Sequence, residues 1–143
     1  MLFFLCAANV CDPFWNGTLL VQVLTAAFLA IVFIQSGLDK VNDRKGNLGW
    51  MRQHFANSPL RNAVPALLFL LTVMELASGI LNLAAIIAVF FRSCNYWFFW
   101  GSLLSGLTFL ALFFGQRMAR DYAGAQGLTG YFILSLIGIW LSC

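Results

Sequence analysis

The sequence predicts an all-α integral membrane protein with four transmembrane helices, both termini on the non-cytoplasmic side and a cytoplasmic loop that carries an interfacial helix. Three observations predict it. Of 143 residues, 62% are hydrophobic and 9% are charged, whereas a soluble domain carries about a quarter charged residues. Such a chain lacks the polar surface to cover a water-facing globule. Secondly, the charges divide it into long apolar stretches that can each supply the ~20 helical residues a hydrocarbon core requires. Thirdly, the basic residues cluster in two of the connections between those stretches.

The opening "MLFFLCAANVC" has no positive start and is followed directly by Asp12 and Pro13, so it reads as an interfacial segment rather than a secretory signal. The first span covers about residues 18–36. The second covers about 65–91, begins at Pro65, a residue suited to a helix's first turn, and is interrupted only by Glu75. The third and fourth cover about 95–116 and 127–142. Each is apolar all round rather than along one stripe, the pattern of a helix surrounded by lipid. Barrel-like alternation, the other route across a bilayer, is absent. Residues 1–143 therefore form a single four-helix transmembrane domain.

Orientation follows from the loops. Residues 37–64 contain Lys40, Arg44, Lys45, Arg52 and Arg61, and the next connection on the same side contains Arg117 and Arg120, leaving only Arg92 of the 8 basic residues for the other side. Basic loops stay in the cytoplasm, which places both termini outside. Within the 37–64 loop, Trp50, Met51 and Phe55 beside Arg52 and His54 predict a short helix at headgroup level. In "GQRMARDY" the spacing predicts a solvated extension of the third helix in which Arg117 pairs with Asp121 four residues on. The net charge of +3 is small and dispersed, so nucleic acid is not an expected partner; the lipid bilayer and other membrane-protein subunits are.

Glu75 lies ten residues past Pro65, which is roughly 15 Å along a helix and near the bilayer midplane. A carboxylate there is costly and should face the bundle. Ser78, Gly79 and Asn82 follow on the same face at helical spacing. Two readings stand: a proton-accepting, quinone-binding or substrate-binding carboxyl, or an acid that hydrogen-bonds a neighbouring helix, with Ser105 or Thr108 of the third span supplying the hydroxyl. No second ionisable residue falls within the predicted spans. Also in the third span, "GSLLSG" sets Gly101 and Ser105, then Ser102 and Gly106, four apart, a spacing that lets helix backbones approach closely.

The predicted topology puts Cys6, Cys11, Cys94 and Cys143 on the outer side, where disulfides form. No C-x-x-C pair is present, and both outer-face thiol chemistry and unpaired buried thiols remain open. His54 is the only histidine; without neighbouring cysteines or acids in sequence it makes no metal site, and a bis-histidine haem is excluded. No phosphate-binding glycine loop or nucleophile elbow occurs, and nothing here predicts an enzyme acting alone.

At "FIQSGLDKVND", followed by "VMELASGILNL", the chain resembles the DoxX family of small four-helix bacterial membrane proteins. Gly37 and Lys40 fit that family's motif at the end of the first helix; Glu75 and Gly79 fit its mid-membrane Glu followed by Gly. The likeness covers roughly residues 22–90, and "FFGQRMARDYAGAQGL" departs from the pattern. It implies a multi-pass protein of the bacterial inner membrane associated with redox systems, among them quinone-linked sulfur oxidation, thiol homeostasis and amine-oxidation assembly, with Lys40 and Glu75 as the positions to watch; it leaves the cofactor open, quinone being the one candidate. The function expected is that of an accessory subunit of a larger membrane complex. The alternatives are a redox-linked protein with a quinone or small-molecule pocket at Glu75, and a thiol redox protein at the outer face.

Overall fold

A computed structural model describes residues 17–90 and 96–142. The expectations for the N-terminal apolar segment and for Cys6, Cys11, Cys94 and Cys143 lie outside the described residues. Within them the elements are α1 (Gly17–Asn42), α2 (Arg44–His54), a 3-10 turn (Arg61–Ala63), α3 (Val64–Phe90), α4 (Tyr96–Met118) and α5 (Tyr122–Leu141), with no strand. Four of these helices are long and apolar enough to cross a membrane. The chain is a multi-pass membrane protein.

The long helices alternate in direction. α1 packs on α3, α3 on α4 and α4 on α5, and α5 returns to α1 to close a four-cornered bundle. Its polarity is inverted relative to a soluble bundle. Gln22, Thr25, Glu75, Ser78, Asn82, Ser102, Ser105, Thr108 and Ser135 are buried, while Phe69, Leu70, Ile80, Leu107, Phe114 and Trp140 are exposed. A water-facing surface would reverse this arrangement. Lipid favours it, because tails solvate Leu and Phe as well as another helix does and leave polar side chains to find partners inside.

Small residues set the helix spacing. A Cβ on Gly79 would stand 3.1 Å from the backbone nitrogen of Ile34, and one on Gly37 would fall 2.8 Å from Cγ of Leu76. Gly37–Leu76 and Ile34–Gly79 together fix the antiparallel register of α1 and α3. On α4 the "GSLLSG" stripe serves two neighbours. Gly101 and Ser105 meet Asn82 of α3, whereas Ser102 meets Gly138 of α5, and Gly106 lies against Ser135. Between these contacts Leu29, Phe33 and Phe109 fill a buried apolar layer, the two rings 4.6 Å apart.

Two element ends differ from the sequence-based expectation. α1 does not stop at Ser36 but continues to Asn42. Charge at a helix end does not break a helix, and the stop comes where the Asp43 carboxylate accepts the Gly46 amide and caps α2. Likewise α5 begins at Tyr122 rather than near residue 127, capped by Asp121, whose carboxylate accepts the Gly124 amide.

That cap also corrects the reading of "GQRMARDY". α4 ends at Met118, and Arg120 adopts a left-handed conformation (φ 62°), uncommon for a side-chain-bearing residue and suited to a sharp reversal. Arg117 therefore belongs to α4 while Asp121 caps α5 beyond the reversal, and no ion pair joins them. Arg117 lies over the Tyr122 ring instead, 4.6 Å from its centroid.

The connection between α1 and α3 contains the short helix α2. Its Met51 and Phe55 pack on Val64 and Leu68 of α3, with Leu48 and Leu71 at the margin. His54 fixes it laterally: Nε2 is 3.0 Å from Oε1 of Gln116 and 3.7 Å from Oδ2 of Asp121, and the ring stacks on Trp50.

Gly79→Ala is expected to destabilise the bundle by about 1–3 kcal/mol through overpacking against the Ile34 backbone. Gly49→Ala, where nothing lies within 4 Å of the added carbon, is expected to be neutral or mildly stabilising. Thermal unfolding of the detergent-solubilised protein distinguishes the two; equal behaviour would contradict the crossing.

Candidate functional site

Glu75 is 1% exposed and points at α1, not at α4. Its Oε1 accepts a hydrogen bond from Nζ of Lys40 at 3.0 Å, and Oε2 lies 2.9 Å from the same nitrogen, in ion-pair range but outside hydrogen-bond alignment. Nζ also donates to Oγ of Ser36 at 2.8 Å. The ammonium thus bridges an acid on one helix and a hydroxyl one turn back on its own.

Local geometry explains why Lys40 reaches inward. Helical side chains lean toward the helix N-terminus, so a lysine near the C-terminal end of α1 is aimed back along the helix body. The register set by the two glycines places Glu75 level with Leu38. Asn42, the last residue of α1, is level with Leu71, so α3 begins seven residues further on, about 10 Å beyond the end of α1. A residue deep along α3 is therefore shallow along α1. This corrects the expectation that Glu75 has no ionisable neighbour: ending the first span at Ser36 had left Lys40 in the loop.

The remaining polar residues form a separate network between α3 and α4. Thr108 Oγ1 donates to the Leu104 carbonyl at 2.8 Å, so Ser78 is the donor in its 3.1 Å contact with Thr108. Ser105 donates to the Gly101 carbonyl at 2.7 Å and accepts from Asn82 Nδ2 at 3.0 Å. The same amide also donates to the Ser78 carbonyl at 2.8 Å. Asn82 thus joins Ser78 to Ser105, and neither Ser105 nor Thr108 serves Glu75. One helical turn separates two partners: Glu75 is bound to α1, Ser78 and Asn82 to α4. Asn82 Oδ1 and Ser102 Oγ are buried without a hydrogen bond.

Two contributors went unnoticed in the sequence. Ser36 precedes Lys40 by one helical turn, a spacing that signals a shared face. Gln22, buried near the opposite end of α1, donates to the Leu141 carbonyl at 2.6 Å and so satisfies the end of α5; a lone amide in an apolar run was its only signal. Among the described residues no group of three His, Cys, Asp or Glu side chains gathers to hold a metal.

Fold and site together define a four-helix membrane bundle with a charge-paired acid at one helix crossing and a hydroxyl–amide seam at the next. No family model, no curated protein and no solved structure matches this chain.

Removing one member of a buried ion pair costs about 3–5 kcal/mol when the survivor stays buried and charged. Lys40 retains 17% exposure and Glu75 only 1%, so the two losses are unequal. Lys40→Met, which strands the acid, is expected to cost the larger share. Glu75→Gln leaves an ammonium able to turn toward water and is expected to cost about 1–2 kcal/mol. A double-mutant cycle on detergent unfolding should give a coupling energy of about 1–3 kcal/mol; additive single effects would mean that the pair does not form.

Proposed function

We propose that this chain is a DoxX-like protein of the bacterial inner membrane that serves as an accessory subunit of a larger membrane complex. Both termini lie outside and α2 rests at the cytoplasmic headgroup level. The observation that carries the reading is where the polar chemistry goes. Glu75 is neutralised by Lys40, and Ser78, Asn82, Ser105 and Thr108 are bonded to one another or to backbone. These groups hold helices together, and the outward surface is large and aromatic, with Phe69, Phe114, Trp97, Trp100 and Trp140 exposed. Such a surface suits lipid and neighbouring helices. The resemblance draws support from one crossing: Gly37 and Gly79 make the close contacts of α1 with α3, and Lys40 and Glu75 make the ion pair there.

On this reading the protein co-purifies from mild detergent with other membrane subunits, detected by native electrophoresis and mass spectrometry of the co-migrating chains. A solitary monomer under those conditions would count against it. Tags at either terminus should be removed by protease added to intact spheroplasts, and protection of both would reverse the assigned sides.

A second reading, a redox-linked protein with a quinone or small-molecule pocket at Glu75, is favoured by one feature. Oε2 of Glu75 has no aligned donor, and Lys40 beside it is partly open to the surface. Membranes carrying Glu75→Gln should then lose quinone-linked electron transfer while the protein still accumulates; intact transfer would remove this reading.

A further inference from the structure

Between Asp43 and Asp121 the chain has a single acid, Glu75, and Lys40 occupies it. The basic residues of positions 44–64 therefore have no carboxylate of their own segment to pair with. Two of them, Arg52 in the last turn of α2 and Arg61 in the 3-10 turn, line one recess of about 610 Å³ with Gln53, Asn57 and Asn62. All five are exposed, and none has a side-chain hydrogen bond or ion pair with another described residue. Their neighbours behave differently. On the same stretch His54 binds Gln116, Asn47 binds the Asp39 and Asp43 carbonyls, and Ser58 accepts the Leu60 amide.

The recess is also held in shape. Met51 and Phe55 hold α2 against Val64 and Leu68 of α3, and Pro65, in the first turn of α3, also lines the recess. It therefore opens where α3 enters the membrane, the level of lipid headgroups. Two guanidinium forks without a counter-ion select an oxyanion, which they grip through paired N–H donors. Three uncommitted amides around them offer donors and acceptors to hydroxyls.

We propose that this recess binds the phosphate of an anionic lipid headgroup, with Arg52 and Arg61 on the phosphate oxygens and the amides on the hydroxyls of a polyol such as glycerol. The inference depends only on α3 starting at a membrane surface, on either side. It is independent of the accessory-subunit reading.

The full chain, reconstituted in nanodiscs of mixed phosphatidylglycerol and phosphatidylcholine and released for native mass spectrometry, should retain phosphatidylglycerol in preference. Juxtamembrane basic residues each contribute severalfold to binding of anionic lipid, so Arg52→Gln with Arg61→Gln should lower that retention by on the order of tenfold. Arg44→Gln with Lys45→Gln removes equal charge from the same helix outside the recess and should lower it much less. Both pairs change exposed side chains, and an unchanged melting temperature for each verifies the fold. Equal loss in the two double variants would reduce the effect to net charge and overturn the site, as would retention of the two lipids alike. Displacement of the retained lipid by inorganic phosphate would assign the recess to a soluble phosphate ligand and overturn the lipid assignment.

Discussion

The close approach of α1 and α3 is the constraint on which the other features rest. In hydrocarbon there is no gain from hiding apolar side chains from water, so helices associate through packing and internal hydrogen bonds. Gly37 and Gly79 remove the two side chains that would hold these helices apart, and the resulting register brings a lysine to a buried carboxylate. Each charge alone would be costly at that position. Together they stabilise a single alignment, because a slip by one residue would turn Glu75 away from Lys40.

The same register leaves the first turns of α3 extending beyond the end of α1, and α2 occupies that ledge. Its two buried apolar residues, Met51 and Phe55, lie on the protruding part of α3, and His54 reaches the end of α4 through Gln116. The turn between α4 and α5 meets it there, with Asp121 both capping α5 and facing His54. One end of the bundle is thereby assembled from α2, the adjoining first turns of α3 and the sequence-distant turn between α4 and α5. The unpartnered arginines of the loop are held at its rim.

The interior holds many polar side chains among its apolar layers, and they are divided between interfaces. On α3 the acid belongs to the α1 contact, while the serine and asparagine one and two turns later belong to the α4 contact. α4 divides its small residues likewise, one pair toward α3 and the other toward α5. Each interface thus has its own hydrogen bonds and its own point of close approach, a pattern that specifies neighbours where hydrophobicity alone would not discriminate among apolar helices.

Much of this was legible in the chain. Composition and the spacing of charges determined the helical class, the four spans and the lone acid's need to face inward, because those properties depend on solvent and on local periodicity. Small residues four apart on the third span marked close packing for the same reason. The end of the first span was misplaced at Ser36, where the charges beyond it were taken as a boundary, and the start of the fourth near residue 127, whereas the backbone pattern is interrupted only at the caps Asp43 and Asp121. Which partner Glu75 takes was decided by tertiary structure alone. It depends on the axial offset of two helices separated by a long loop, a quantity set by which glycine meets which side chain and by no local signal in the sequence.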